Sequence, residues 1–486
     1  MEKNPIIQQL ANQSNHRLWL VLLLISISAT SLLFLHLRDK TCSSLSGGSV
    51  RVEPPDPCHG RYIYIQNLPT RFNEDLLRRC ETTFTTWTDR NMCPHLHNQG
   101  LGHMLQVDGR ILSLNRTWYL TNLYSLSVIF HNRMLNYRCL TNDSSFASAV
   151  YLPYYAGLDA SRHLWSRNFS LRDESATEFD RWLGKTEEWK RMWGRDHFMV
   201  SGRTAWDFRR EWDEGEAAWG TRLRLLPHSS NMSMLSVESS LWSNDYAIPY
   251  PTCFHPSLDS HLSHWQRRMQ SRTRSYLFSF AGAPRANDPN TLRGKVIDEC
   301  RNSSNLCRLL GCGFGPGGEM DCDDPVRVMS LLQDSVFCLQ PRGDSFTRRS
   351  FFDAILAGCI PVLFHPGSAY IQYDWYLPEE HTQYSVYIPM EHEGDWSPGI
   401  VADTLQRIPA GRIRAMRDNV IRLIPKVVYA HPESRLERYE DAFDIAVNGI
   451  LDRIAKVRRS NEDPSLGFGD KNSSKFNISM YRSPAA

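Results

Sequence analysis

Hydrophobic and polar positions along this chain follow two alternating periods. Short runs of β-branched and aromatic residues, Arg61–Ile65, Ala149–Leu152, His197–Val200 and Arg222–Leu226, read as strands. Between them Glu74–Arg79, Leu120–Tyr137 and Ala176–Leu183 space their apolar residues three and four apart, as helices do. Proline-rich punctuation at 249–257 resets the pattern, and a second series begins: strands Tyr276–Ala281, Ser335–Gln340, Ile360–Phe364 and Tyr384–Pro389, with helices Leu292–Cys300, Val326–Gln333 and Phe346–Ala357. Strands alternating with helices predict an α/β fold with largely parallel sheets. The reset divides it into an amino-terminal domain over 58–255 and a carboxyl-terminal domain over 256–432, with a site in the cleft between them. Long helices at Arg412–Val428 and Leu436–Val457 close the body, the latter within a closing segment 433–458, and the aperiodic polar stretch 459–486 reads as a disordered tail.

One segment breaks the pattern. Leu18–Leu37 is apolar for twenty residues without a formal charge, long enough to cross a bilayer as a helix. It predicts a membrane anchor after a cytosolic tail 1–17, with the Ser-, Gly- and Pro-rich stretch 38–57 as a stem. Flanking charge does not orient it. Seven N-x-S/T sequons downstream, at Asn115, Asn142, Asn168, Asn231, Asn302, Asn472 and Asn477, place the body in the secretory lumen. Twelve cysteines with no C-x-x-C pair fit disulfides better than zinc or a redox motif. At least one local pair is expected among Cys300, Cys307, Cys312 and Cys322. With 55 basic against 53 acidic residues, the chain lacks the positive excess that nucleic-acid binding requires.

The richest chemistry lies in residues 335–364, read as strand, glycine-containing loop, helix, glycine stop and strand. Asp344 or Ser345 is expected to cap the helix and Gly358 to end it. A helix amino terminus at the carboxyl end of a parallel strand suits a phosphate. Arg349 and Asp353, four apart, share one helix face, where a guanidinium serves a diphosphate and a carboxylate serves ribose hydroxyls. The alternative for the same spacing is a solvated ion pair. The preceding strand ends in Gly282, where a ligand can approach the backbone, and Arg285 follows. Residues 194–210 gather Asp196, His197, Arg203 and Asp207 around a strand end. Trp165, Trp206, Trp242 and Trp375 either stack on sugar rings or fill the core. Asp321 and Asp323 spell the D-x-D triplet that binds a cation in some transferases, but it is read as a loop with no strand before it, so no metal site is expected.

These runs resemble glycosyltransferase family 47, the exostosin-like enzymes, and within it the plant xyloglucan galactosyltransferases. The resemblance spans most of 58–457 and rests on GRYIYI-x-x-LP-x-RFNEDLL, GRDHF, GR-x-x-WDFRR, IPYPT-x-FHPS, LFSFAGAPR, FCLQP-x-GDS-x-TRRS-x-FD and GCIPV-x-FHPGSAY. It implies a GT-B fold of two facing Rossmann-like domains behind a transmembrane helix, in a type II Golgi membrane protein. It implies inverting transfer of galactose from UDP-galactose to xylosyl side chains of xyloglucan, without an obligatory metal or other cofactor. Arg203, Gly282, Arg285, Ser345, Arg348, Arg349 and Asp353 then bind the nucleotide sugar, and Asp159, Asp207 and His197 are the candidates for the single general base. The chain departs from the branch at Arg342, Phe346, Phe351 and Cys253, so transfer of a pentose or a uronic acid is the alternative. A non-catalytic subunit in a complex with other Golgi transferases is a further one.

Overall fold

A computed structural model of the chain describes residues 56–83, 91–214, 218–240, 242–284, 291–312, 321–390 and 395–462. The expected anchor 18–37, the tail 1–17, most of the stem, Arg285 and everything from 463 lie outside them. Among the described residues no helix is long and apolar enough to cross a membrane.

From Gly60 onward the chain forms one compact unit holding two five-stranded sheets, parallel throughout. The first takes its strands in sequence order: β1 (Ile63–Ile65), β2 (Ala149–Leu152), β3 (His197–Val200), β4 (Ser233–Ser236) and β5 (Asp245–Ala247). The second contains β6 (Tyr276–Gly282), β7 (Cys307–Gly311), β8 (Ser335–Gln340), β9 (Ile360–Leu363) and β10 (Val386–Tyr387), in the order β10-β9-β8-β6-β7. That order reverses direction between β6 and β8, so their carboxyl ends open the crevice in which doubly wound sheets bind ligands. One apolar core joins both halves: Trp118 packs edge-on against Trp265 at 5.0 Å and against Phe254 at 5.1 Å, all three fully buried.

Several expected elements are displaced, each by side chains from elsewhere in the chain. Arg222–Leu226 is not a strand. Leu223–Leu225 curls into a 3-10 turn because the buried Arg224 reaches the carbonyls of Ser229 and Met232 and pairs with Asp245. The helix expected over 120–137 shortens to α1 (Leu126–Leu135), behind a turn that the Asn122 side chain starts by accepting the Tyr124 N–H. The closing helix begins at Ala442, not 436, and runs on to Glu462. Its start is a reciprocal cap, in which Asp441 accepts the Asp444 N–H at 3.0 Å and Asp444 accepts that of Asp441 at 3.3 Å. The pattern does not show strands β4, β5 and β7, which carry Ser, Asp and Arg among their side chains. Disulfides join Cys80 to Cys93, Cys300 to Cys307, Cys312 to Cys322 and Cys338 to Cys359.

Candidate functional site

The loop 341–348 leaves the carboxyl end of β8 and enters α2 (Arg349–Leu356). This helix starts three residues later than its sequence suggests, with Arg348 at the N-cap position and no side-chain cap. Ser345, one of the two residues expected to cap it, is engaged elsewhere, as is Thr347. Thr347 donates its N–H at 2.8 Å and its Oγ1–H at 2.6 Å to one carboxylate oxygen of Glu238, and Ser345 also bonds this carboxylate. Glu238 lies just past the carboxyl end of β4 and takes a further bond from the Trp206 indole at 3.2 Å. The carboxyl ends of the two sheets are thus clasped through one fully buried carboxylate. Burial raises its pKa, and the four donors oppose that rise.

At the crevice between β6 and β8 two guanidiniums meet. Arg348 donates to the Pro341 carbonyl at 3.3 Å and lies 5.9 Å from the Phe280 ring. Arg293, at the amino end of the helix Leu292–Asn302, reaches the Ala283 carbonyl just beyond Gly282. Burial, and then the charge of Arg293, lower the Arg348 pKa to about 10, so Arg348 remains cationic at neutral pH. Two helix amino termini and two guanidiniums converging on one crevice form a site for a dianion.

Arg349 and Asp353 do share a face, but not a solvated one. Their ion pair, 3.5 Å long, lies against the amino-terminal half, where Arg349 donates to the Thr121 carbonyl at 2.8 Å and to Cys253 Sγ at 2.8 Å. Burial opposes the Arg349 charge, but Cys253 and Asp353 outweigh it and its pKa rises. Burial also raises Asp353, against the pull of Arg349. Thr121 is fixed in turn by His255, which burial lowers to about 3. In the neutral ring Nδ1–H donates to the Tyr429 carbonyl at 2.7 Å, leaving Nε2, 2.8 Å from Thr121 Oγ1, as acceptor.

The remaining expected residues separate by which end of the first sheet they occupy. Past the carboxyl end of β3, Arg203 pairs with Asp207 at 3.1 Å, bonds Ser161 Oγ at 3.0 Å and stacks on Tyr124 at 4.3 Å. Asp207 accepts a second bond from the Trp219 indole at 2.6 Å. Asp159, on the short helix Ala156–Ser161, is tied to the Tyr154 hydroxyl at 2.8 Å and to Arg162 at 3.3 Å. His197 stands at the amino end of β3, fully buried against Asp196 at 2.7 Å, on the opposite side of the sheet from Arg203. Asp321–Asp323 is a 3-10 turn, and contrary to the sequence reading a strand, β7, precedes its loop. The charge of Asp323 reaches both His95 and Arg349. Glu238 and Arg293 were missed in the sequence, where neither sits in a recognisable spacing.

The exostosin GT47 domain matches residues 57–395. The probable xyloglucan galactosyltransferase GT14 of Arabidopsis thaliana is 54% identical over 401 residues, 82% of this chain and 76% of that protein. Xyloglucan galactosyltransferase MUR3 is 52% identical over 406 residues, 83% of this chain and 64% of that longer protein. The xyloglucan-specific galacturonosyltransferase 1 is 38% identical over 416 residues, 85% of this chain and 60% of its own length. The chain therefore belongs to the exostosin GT47 glycosyltransferases, in the branch that holds the xyloglucan galactosyltransferases.

Proposed function

We propose that this enzyme transfers galactose from UDP-galactose to xylosyl side chains of xyloglucan, with inversion, across a GT-B-type cleft between its two sheets. The observation that carries the reading is the crevice between β6 and β8, where Arg293 and Arg348 bring positive charge beside the loop 341–348 that leads into α2. The choice of galactose and xyloglucan rests on the relatives at 54% and 52% identity. In this account Arg293 and Arg348 stabilise the departing UDP, so no cation is needed. Arg349 and Asp353 hold the nucleoside side of the donor. Glu238 sets the height of the loop that does this. Inversion requires one base at the acceptor hydroxyl. Asp207 takes that role, since it lies on the clasped side of the sheet while His197 does not. The Leu18–Leu37 segment, the downstream sequons and the disulfides support a luminal body on a Golgi type II anchor.

A panel of UDP-sugars offered to the purified chain with a xyloglucan oligosaccharide tests the proposal. UDP-galactose should be consumed fastest. Preference for UDP-galacturonic acid, the sugar class of the 38% identical relative, would reassign the donor, and no consumption of any donor would leave a non-catalytic partner.

A further inference from the structure

Among the described residues most aromatic rings are packed, but Trp165 and Trp219 face solvent together, 49% and 37% exposed, with centroids 4.8 Å apart and planes at 66°. Isolated exposed tryptophans are ordinary; this pair is held in place. Arg172 donates to the Ala218 carbonyl at 2.6 Å and Arg210 to that of Gly220 at 2.5 Å. Thr221 N–H donates to the Asp207 carbonyl at 2.8 Å and Arg222 N–H to the Asp173 carboxylate at 2.9 Å. Gly220 has φ +84°, and any Cβ there would lie 2.5 Å from the Asp207 carbonyl, so the backbone approaches as closely as glycine permits. The Trp219 indole N–H then fastens the ring to Asp207. Fixing an exposed ring this firmly removes in advance the ordering cost of binding.

Location and charge indicate the occupant. Trp165 follows the helix Ala156–Ser161 beyond β2, and Trp219 is one hydrogen bond from Asp207, so both lie on the side of the first sheet that carries Arg203 and Asp207. Several charges around them are paired, Arg203 with Asp207, Arg210 with Asp173 and Asp213, and Arg222 with Asp213, while Arg172 spends its donors on the Ser166 and Ala218 carbonyls. A wide apolar ring surface within a rim of mostly paired charges suits a neutral chain whose units show apolar C–H faces, as β-linked glucan does. We propose that Trp165 and Trp219 form an acceptor subsite on which the glucan backbone lies while a side chain of the polymer enters the cleft. The assignment rests on the polysaccharide acceptor proposed above.

Affinity electrophoresis of the full chain through a gel containing xyloglucan tests this without turnover. The unaltered chain should be retarded. Trp165→Ala and Trp219→Ala should each weaken the apparent affinity about three- to tenfold, the scale of one aromatic contact, and leave UDP affinity unchanged. Trp165→Tyr should keep most of the retardation, and Trp193→Ala, an exposed tryptophan elsewhere, should keep all of it. Unchanged retardation in both platform variants, or a change of oligomeric state with glucan affinity intact, would overturn the subsite. The two proposals fail separately: consumption of UDP-galactose with normal retardation in the variants removes only the platform, and platform-dependent retardation without consumption of any donor removes only the transfer.

Discussion

Glu238 shows how much of this site depends on a single side chain. Its carboxylate accepts bonds from Thr347, Ser345 and Trp206, and Thr347 lies 109 residues away in sequence. Glu238→Ala leaves those donors buried without an acceptor. A loss of about 2–4 kcal/mol in unfolding free energy is expected, measured by urea denaturation, together with weakened UDP binding. Arg293→Ala and Asp353→Ala act on the ligand instead. Each should raise the Kd for UDP about tenfold by calorimetry, Arg293→Ala with the melting temperature nearly preserved and Asp353→Ala with a lowered one because the partly buried Arg349 loses its carboxylate, and unchanged affinity in either would remove that residue from the donor site. The shared face of Arg349 and Asp353 was legible because they stand four apart in one helical run. Glu238 and Arg293 were not, because each acquires its role from a segment far away in the chain. His197 was misjudged for a related reason: a histidine beside a strand reads identically at either end, and only the sheet shows that it lies at the amino end.

At the scale of elements, the closing helix α3 (Ala442–Glu462) depends on its first turn. Arg133 of α1 reaches Asp441 at 3.2 Å and Asp444 at 3.6 Å, binding the helix start to the amino-terminal half. One guanidinium faces two carboxylates that also cap each other. Burial, and then the charge of Asp441, push Asp444 up to about 7. A carboxyl raised in the fold above its unfolded value binds a proton that the unfolded chain has released. Its contribution to stability is complete below about pH 4 and is lost as pH rises through about 7. Asp444→Asn should flatten this decline, giving a melting temperature a few degrees above that of the unaltered chain at pH 7.5 and little different at pH 5. An identical pH slope in the variant would contradict the assignment. The sequence placed most helices and strands but missed their edges, since the capping pair and the long reach of Arg224 decide where Ala442 begins and where 222–226 curls. Strands β4, β5 and β7 take their pairing from neighbours and carry little period of their own.

For the molecule as a whole, the loops past the carboxyl ends of two parallel sheets meet at Glu238 and Thr347. A formal charge of +2 over 486 residues matches an acceptor without charge. With the proposed role of Arg293 and Arg348 at the leaving group, saturating EDTA should leave the transfer rate within about twofold of the untreated rate. Abolition reversed by added divalent metal would instead point to Asp323, whose charge already reaches Arg349. The direct test of the central claim is proton NMR of the product formed from UDP-galactose and a xyloglucan oligosaccharide. One new galactose in β-linkage to a xylosyl residue is the expected result, and an α-linked product, or an oligosaccharide returned unchanged, would contradict it.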